Sequence, residues 1–149
     1  MEAIIIFLPL FGALIAGILG NKLGDFFSQI STSLGVGFTA LFSIPIFIDV
    51  ALNGNERTIV ILDWIVSGSF NSFWAIRLDT LSSVMISTVS CVSFLIHVYS
   101  IGYMSHDKSK KRFMCYLSLF TFAMLMLVTS DNLIQLFFGW EGVGVFSYL

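Results

Sequence analysis

The sequence predicts an all-α polytopic membrane protein: five transmembrane helices with an extramembrane β-hairpin between helices 2 and 3. Three observations carry that prediction. Apolar residues make up 57% of the 149-residue chain and charged residues only 11%. With a mean hydropathy of +0.95, too little polar surface remains for a domain facing water. The apolar residues are gathered into runs close to the ~20 residues that a helix needs to cross a bilayer. One stretch, 57–77, breaks that pattern with alternating residues and turn signals. A single membrane domain over 1–149 is expected.

The first span, 4–19, follows Met1-Glu2 rather than a basic cluster, and no cleavage context succeeds it, so it reads as a retained helix and not a signal peptide. Gly12, Gly17 and Gly20 offer surfaces for close helix approach. Pro9 lies in the first turns, where local adjustment accommodates it. A tight connection, Asn21-Lys22-Leu23-Gly24-Asp25, leads into the second span, 26–48, whose far end Pro45 loosens. Asn53-Gly54-Asn55 is a turn signal. Beyond it Thr58 to Trp64 is apolar and rich in β-branched residues, and Phe70, Ser72, Trp74 and Ile76 alternate after Ser67-Gly68-Ser69. Thr58–Ile65 and Ser72–Arg77 are expected to pair as a hairpin, with an irregular loop as the alternative. Trp64 and Trp74 suit the membrane–water interface.

The third span, 78–101, opens with Asp79 where an N-cap accepts backbone N–H groups. Capping is the simpler account of Asp79, and proton handling is the alternative. Ser83, Ser87 and Ser90 share a small, weakly polar helical face. His97, about a turn from the far end, reads as an interfacial, solvated side chain, with a proton relay as the alternative. The connection 102–112 holds Lys108, Lys110, Lys111 and Arg112 against Asp107 and reads as an orientation signal. The fourth span, 113–129, turns through Ser130-Asp131-Asn132 into the fifth, 132–149. That run is still apolar at Leu149, with no cap, charge or breaker, so the polypeptide is expected to continue in mid-helix.

Alternate connections share a side of the membrane, which groups Lys22 with the 108–112 cluster and leaves Arg57 and Arg77 on the other side. The positive-inside rule then puts the N-terminus and the hairpin on the outer (periplasmic) side.

Several functions are excluded or left without support. Cys91 and Cys115 differ in depth by ~15 Å, too far for a disulfide. The residues give no metal-ligand spacing, no Gly-rich phosphate loop and no nucleophile with its base, so no self-contained active site is expected. Nucleic-acid binding has no support either. What stands out is Phe137-Phe138-Gly139-Trp140-Glu141-Gly142-Val143-Gly144. Counting from Asn132, Glu141 lies ~13 Å inside a hydrocarbon layer ~30 Å thick. An acid at that depth costs a few kcal/mol and usually faces a partner, a wet cavity or a proton path. Two readings are open: a proton-carrying acid, or a neutral one hydrogen-bonded to a neighbouring helix. Gly139, Gly142 and Gly144 are expected to leave room beside the carboxyl for a helix or for water. No Lys or Arg stands at mid-depth, so any cationic partner lies outside these residues.

Tyr99-Ser100-Ile101-Gly102-Tyr103-Met104, Arg112-Phe113, Tyr116 to Phe122, Ser130-Asp131-Asn132, Gly139 to Gly144 and Ser147-Tyr148-Leu149 follow one another in a recognisable order. Together they resemble the antiporter-like, proton-pumping membrane subunit family of NADH:quinone oxidoreductase, respiratory complex I (chain 5, or chain L in bacteria). The resemblance is strong over 78–149 and rests on hydropathy before that. It implies a proton-translocating subunit of many helices, of which this chain is an N-terminal fragment. It also implies that Glu141 is a proton relay meeting a lysine on a later, broken helix. From the residues alone, Asp79 and His97 remain possible minor members of a proton path. Val145-Phe146 stand where Leu-Cys is often found. The implied partners are other membrane-arm subunits, the lipid bilayer and protons. NADH, FMN, iron-sulfur clusters and quinone are implied for other subunits, with no cofactor in this chain. The implied location is the bacterial inner membrane, or the mitochondrial inner membrane as the alternative. A related cation/proton antiporter subunit and a structural membrane anchor are the competing readings.

Overall fold

A computed structural model of the chain describes residues 2–149, the side chains of Asn21 and Leu23 excepted. Helix α1 (Glu2–Leu14) runs through a π-helical turn (Ile15–Leu19) into the short α2 (Gly20–Leu23). Helix α3 (Asp25–Phe47) ends in a second π-helical turn (Ile48–Leu52). Strands β1 (Arg57–Ser67) and β2 (Phe70–Leu78) precede helices α4 (Thr80–Tyr103), α5 (Lys110–Val128) and α6 (Leu133–Tyr148). Among the described residues, four segments are long and apolar enough to cross a membrane: Glu2–Leu19, Asp25–Leu52, Thr80–Tyr103 and Lys110–Val128. Helix α6 is a further helix of 16 residues.

The expected Asn21-to-Asp25 connection is shorter than the sequence suggested. Residues 20–23 stay helical and Gly24 alone reverses the chain, at φ 90°. A backbone in that left-handed region favours glycine, so one residue does the work for which five were counted.

Pro9 shows how the helices lock together. It has no N–H to offer the carbonyl of Ile5, its i−4 residue. Thr39 Oγ1 on α3 donates to that carbonyl at 3.1 Å. One turn on, Gly35 lets α3 approach α1 so closely that a Cβ there would lie 3.2 Å from the Leu8 carbonyl oxygen. Helix α5 adds two more lashings, Ser118 Oγ to Pro9 O at 2.7 Å and Cys115 Sγ to Ala13 O at 3.3 Å. In hydrocarbon, such side-chain donors replace the water that would otherwise satisfy a freed carbonyl. Cys91 and Cys115 are both free.

The hairpin pairs antiparallel from Arg57↔Leu78 to Ser67↔Phe70, with irregularities after Val60 and after Asp63. Its turn is Gly68-Ser69, with Gly68 at φ 60°. Ile76 and Leu78 enter an apolar cluster with Ile5, Ile6, Ile46, Val50, Ile86, Leu125 and Met126, so the hairpin plugs one end of the bundle. Arg57 ties the same end together by reaching Glu2 and Asp49, each at 2.7 Å.

Candidate functional site

Helix α6 begins at a cap. Asn132 Oδ1 accepts from Gln135 N at 2.9 Å, while its Nδ2 donates to Phe73 O of β2 at 2.7 Å. One turn in, fully buried Gln135 accepts the Ala75 amide through Oε1 at 3.1 Å. Arg77 N donates to Thr129 O at 2.9 Å, and Ile76 pairs with Ser130. Strand β2 is thus stitched to the turn between α5 and α6. Trp64 and Trp74 do not stand alone at an interface: their ring centroids are 4.8 Å apart, and Phe138 of α6 packs edge-on at 6.0 and 5.2 Å. Such pairs add about 0.5–1.5 kcal/mol beyond their area burial. Gln135, an amide inside an apolar run, was the sequence signal for this docking and went unread.

The hairpin therefore anchors the start of α6, and with it the position of Glu141 relative to β2. From Leu133 the acid is eight residues along α6, or about 12 Å. It lies on the open face with Leu133, Phe137, Trp140 and Tyr148, all well exposed. No hydrogen bond or ion pair reaches it among the described residues. The glycines around it divide between the two faces. A Cβ on Gly139 would lie 2.8 Å from Leu127 Cα, and one on Gly142 would lie 3.1 Å from Ala123 Cβ. Both serve the contact with α5, where a glycine lets backbones approach. Only Gly144, with open space around it, provides the room beside Glu141 that was expected of all three.

Asp79 does what its position predicted. Its Oδ1 accepts Ser82 N at 2.7 Å at the start of α4, and Arg77 Nε lies 3.4 Å from its other oxygen. The Ser82 amide, helped by the Arg77 charge, holds the Asp79 carboxyl below the usual carboxylate range.

The interfacial, solvated reading of His97 is overturned. His97 has no exposed surface, and its Nδ1 lies 2.7 Å from Ser93 O. The reason is direction rather than depth: Ser83, Ser90 and His97 recur every seven residues and share the buried face of α4, which continues to Tyr103. The structure does not bring His97, Asp79 and Glu141 into one cluster. They stand on two helices, with His97 toward one end of α4 and Asp79 capping the other.

Residues 64–114 match the family described as NADH-Ubiquinone oxidoreductase (complex I), chain 5 N-terminus. Over all 149 residues the chain is 49% identical to NADH-ubiquinone oxidoreductase chain 5 of Arabidopsis thaliana. It is 49% identical over 145 residues, 97% of the chain, to NADH-quinone oxidoreductase subunit L of Rickettsia conorii, and 46% identical over its whole length to chain 5 of Chondrus crispus. In each case it spans 22% of the relative's length.

Proposed function

Because the chain belongs to the chain 5 / subunit L family of NADH:quinone oxidoreductase, we propose that the protein translocates protons in the membrane arm of respiratory complex I, with Glu141 as its mid-membrane relay. The observation that carries this reading is the placement of Glu141 half-way along α6 on a face that the rest of the chain leaves open. Facing lipid, an acid there costs about 3 kcal/mol even on lenient insertion scales. Facing a further helix or a water-filled space, it can bind and release a proton. A cationic partner for it would come from outside the described residues, since no Lys or Arg among them stands level with Glu141 along the bundle.

Five helices then cross the membrane, α6 included. The N-terminus and the hairpin face outward, while Lys22 and the 108–112 cluster face the cytoplasm or matrix. The membrane is the bacterial or mitochondrial inner membrane. Partners are the other membrane-arm subunits, and electron transfer from NADH to quinone belongs to them. Asp79 serves this function as the cap that starts α4.

The test is Glu141→Gln in the full-length subunit within the assembled complex. NADH-driven proton uptake into inverted vesicles is measured against NADH oxidation. Uptake per electron is expected to fall at least twofold, because an amide cannot carry the proton. Undiminished uptake would sink the relay and favour an acid that merely bonds to its neighbour.

A further inference from the structure

Most hydroxyls buried in the bundle close on their own helix. Thr32 Oγ1 bonds Ser28 O, Ser100 Oγ bonds Ile96 O and Thr129 Oγ1 bonds Leu125 O. Two buried polar atoms between the long helices do not: His97 Nε2 on α4 and Ser33 Oγ on α3 have no partner among the described residues. His97 is wholly buried and Ser33 is 8% exposed.

The packing of α3 against α4 brings these two residues to one level. The helices run antiparallel, and their register is set where Ser90 Oγ donates to Ser43 Oγ at 3.1 Å and where Gly37 leaves space for the Phe94 ring. A Cβ on Gly37 would come within 2.9 Å of that ring. Ser33 is one turn back from Gly37, and His97 is one turn on from Phe94, so both lie one turn from the same contact in the same direction. Residues three or four apart share a helical face.

The chemistry of the two atoms is complementary. A carbonyl only accepts, so the bond between His97 Nδ1 and Ser93 O requires the hydrogen on Nδ1. Nε2 is then a bare lone pair. Ser33 brings a hydroxyl hydrogen with nothing to receive it. The pair is not directly bonded, yet one oxygen that accepts from Ser33 and donates to Nε2 satisfies both. A water has such an oxygen, and waters occupy buried polar sites of this kind.

We propose that Ser33 and His97 hold an internal water between α3 and α4, and that this water is a proton-carrying station in the half of the membrane nearer the basic 108–112 connection. The second clause rests on the proton-translocating reading above. His97 is here a positioning residue. Its Nδ1 hydrogen is tied to a carbonyl that cannot pass a proton on, so protons move through the water and not through the ring. The Ser93–Thr121 hydroxyl pair links α4 to α5 close by, one turn from His97.

The test is made on the full-length subunit in the assembled complex, with 15N-labelled histidine and the His97 signal assigned by its loss in His97→Gln. Solid-state NMR should find the hydrogen on Nδ1, and magnetisation should pass from water protons to Nε2. Ser33→Ala, a change too small to threaten folding, should cut that transfer severalfold and lower proton uptake per electron at least twofold. His97→Gln, which keeps an acceptor, should retain more uptake than His97→Leu. A hydrogen on Nε2, no transfer from water, or uptake indifferent to Ser33→Ala and His97→Leu would each overturn the proposal. The Glu141 reading fails separately. If Glu141→Gln leaves uptake intact while the water signal persists, the relay is lost and the water site stands; a dry His97 with Glu141-dependent uptake gives the reverse.

Discussion

Gly139→Ala should dislodge α6 from α5 and carry Glu141 with it. The added Cβ would stand 2.8 Å from both Leu127 Cα and Leu127 N, whereas non-bonded carbons rest at about 3.5–4.0 Å. The shortfall is thus about 0.7–1.2 Å. Because the obstacle is backbone, no side-chain rotation relieves it and the helices must separate. Overpacking of this kind costs about 1–3 kcal/mol, a factor of about 5–150 in the docked population. Cross-linking reads the displacement directly. Ala123→Cys with Gly142→Cys, in a chain with Cys91→Ser and Cys115→Ser, sets two Cβ positions about 3.1 Å apart, about 0.4 Å under the short end of the span a disulfide takes; this crowding is the same with and without Gly139→Ala, so the difference in rate reads the displacement. Oxidation should link them quickly in the parent and at least fivefold more slowly when Gly139→Ala is added. A displacement near 1 Å also suffices to cost a positioned catalytic group about 100-fold, so proton uptake should fall while Glu141 itself is intact. Equal cross-linking rates and unchanged uptake would refute the close-approach role of Gly139.

Thr39→Val should destabilise the full-length chain by about 0.6–1.7 kcal/mol in a detergent-titration unfolding assay, the range for hydrogen bonds within membranes. With Pro9→Ala also present, the Ile5 carbonyl regains a backbone donor and the same change should cost about half or less; strictly additive losses would break the link between the two residues. Asp79→Ala should cost about 0.5–2 kcal/mol at neutral pH, as loss of an N-cap does. The folded carboxyl titrates below its ordinary value, so its stabilisation is complete above about pH 4 and is lost as pH falls through the folded value. The parent and the variant should therefore converge in acid. A stability gap that persists there would show that the Asp79 charge is not what caps α4.

The apolar runs and the hairpin were legible because both are periodic constraints on many residues at once. Thr58–Ile65 and Ser72–Arg77 lie inside strands that extend one or two residues beyond them at each end. Place along a helix was legible too, since it follows from counting; Glu141 falls mid-way along α6. Direction was harder. The glycines near Glu141 were counted as space for the acid, but a helix turns by about 100° per residue, and Gly139 and Gly142 face α5. His97 was misjudged for the same reason, although its seven-residue step from Ser90 was there to be read. Contacts that join residues 59 and 60 positions apart, from Asn132 to Phe73 and from Gln135 to Ala75, have no periodic trace. They depend on the meeting of two elements rather than on either one.

Those same bonds bear on how the protein is made. A ribosome adds about 5–20 residues per second, so the amide of Ala75 waits some 3–12 s at that pace for Gln135 to be synthesised. Throughout that interval these two β2 groups, the Ala75 amide and the Phe73 carbonyl, are without their α6 partners. Helix α6 is the latch made after its catch, which makes assembly of this end of the bundle a two-stage affair: a ribbon folded first and clasped only when its distant mate has been synthesised.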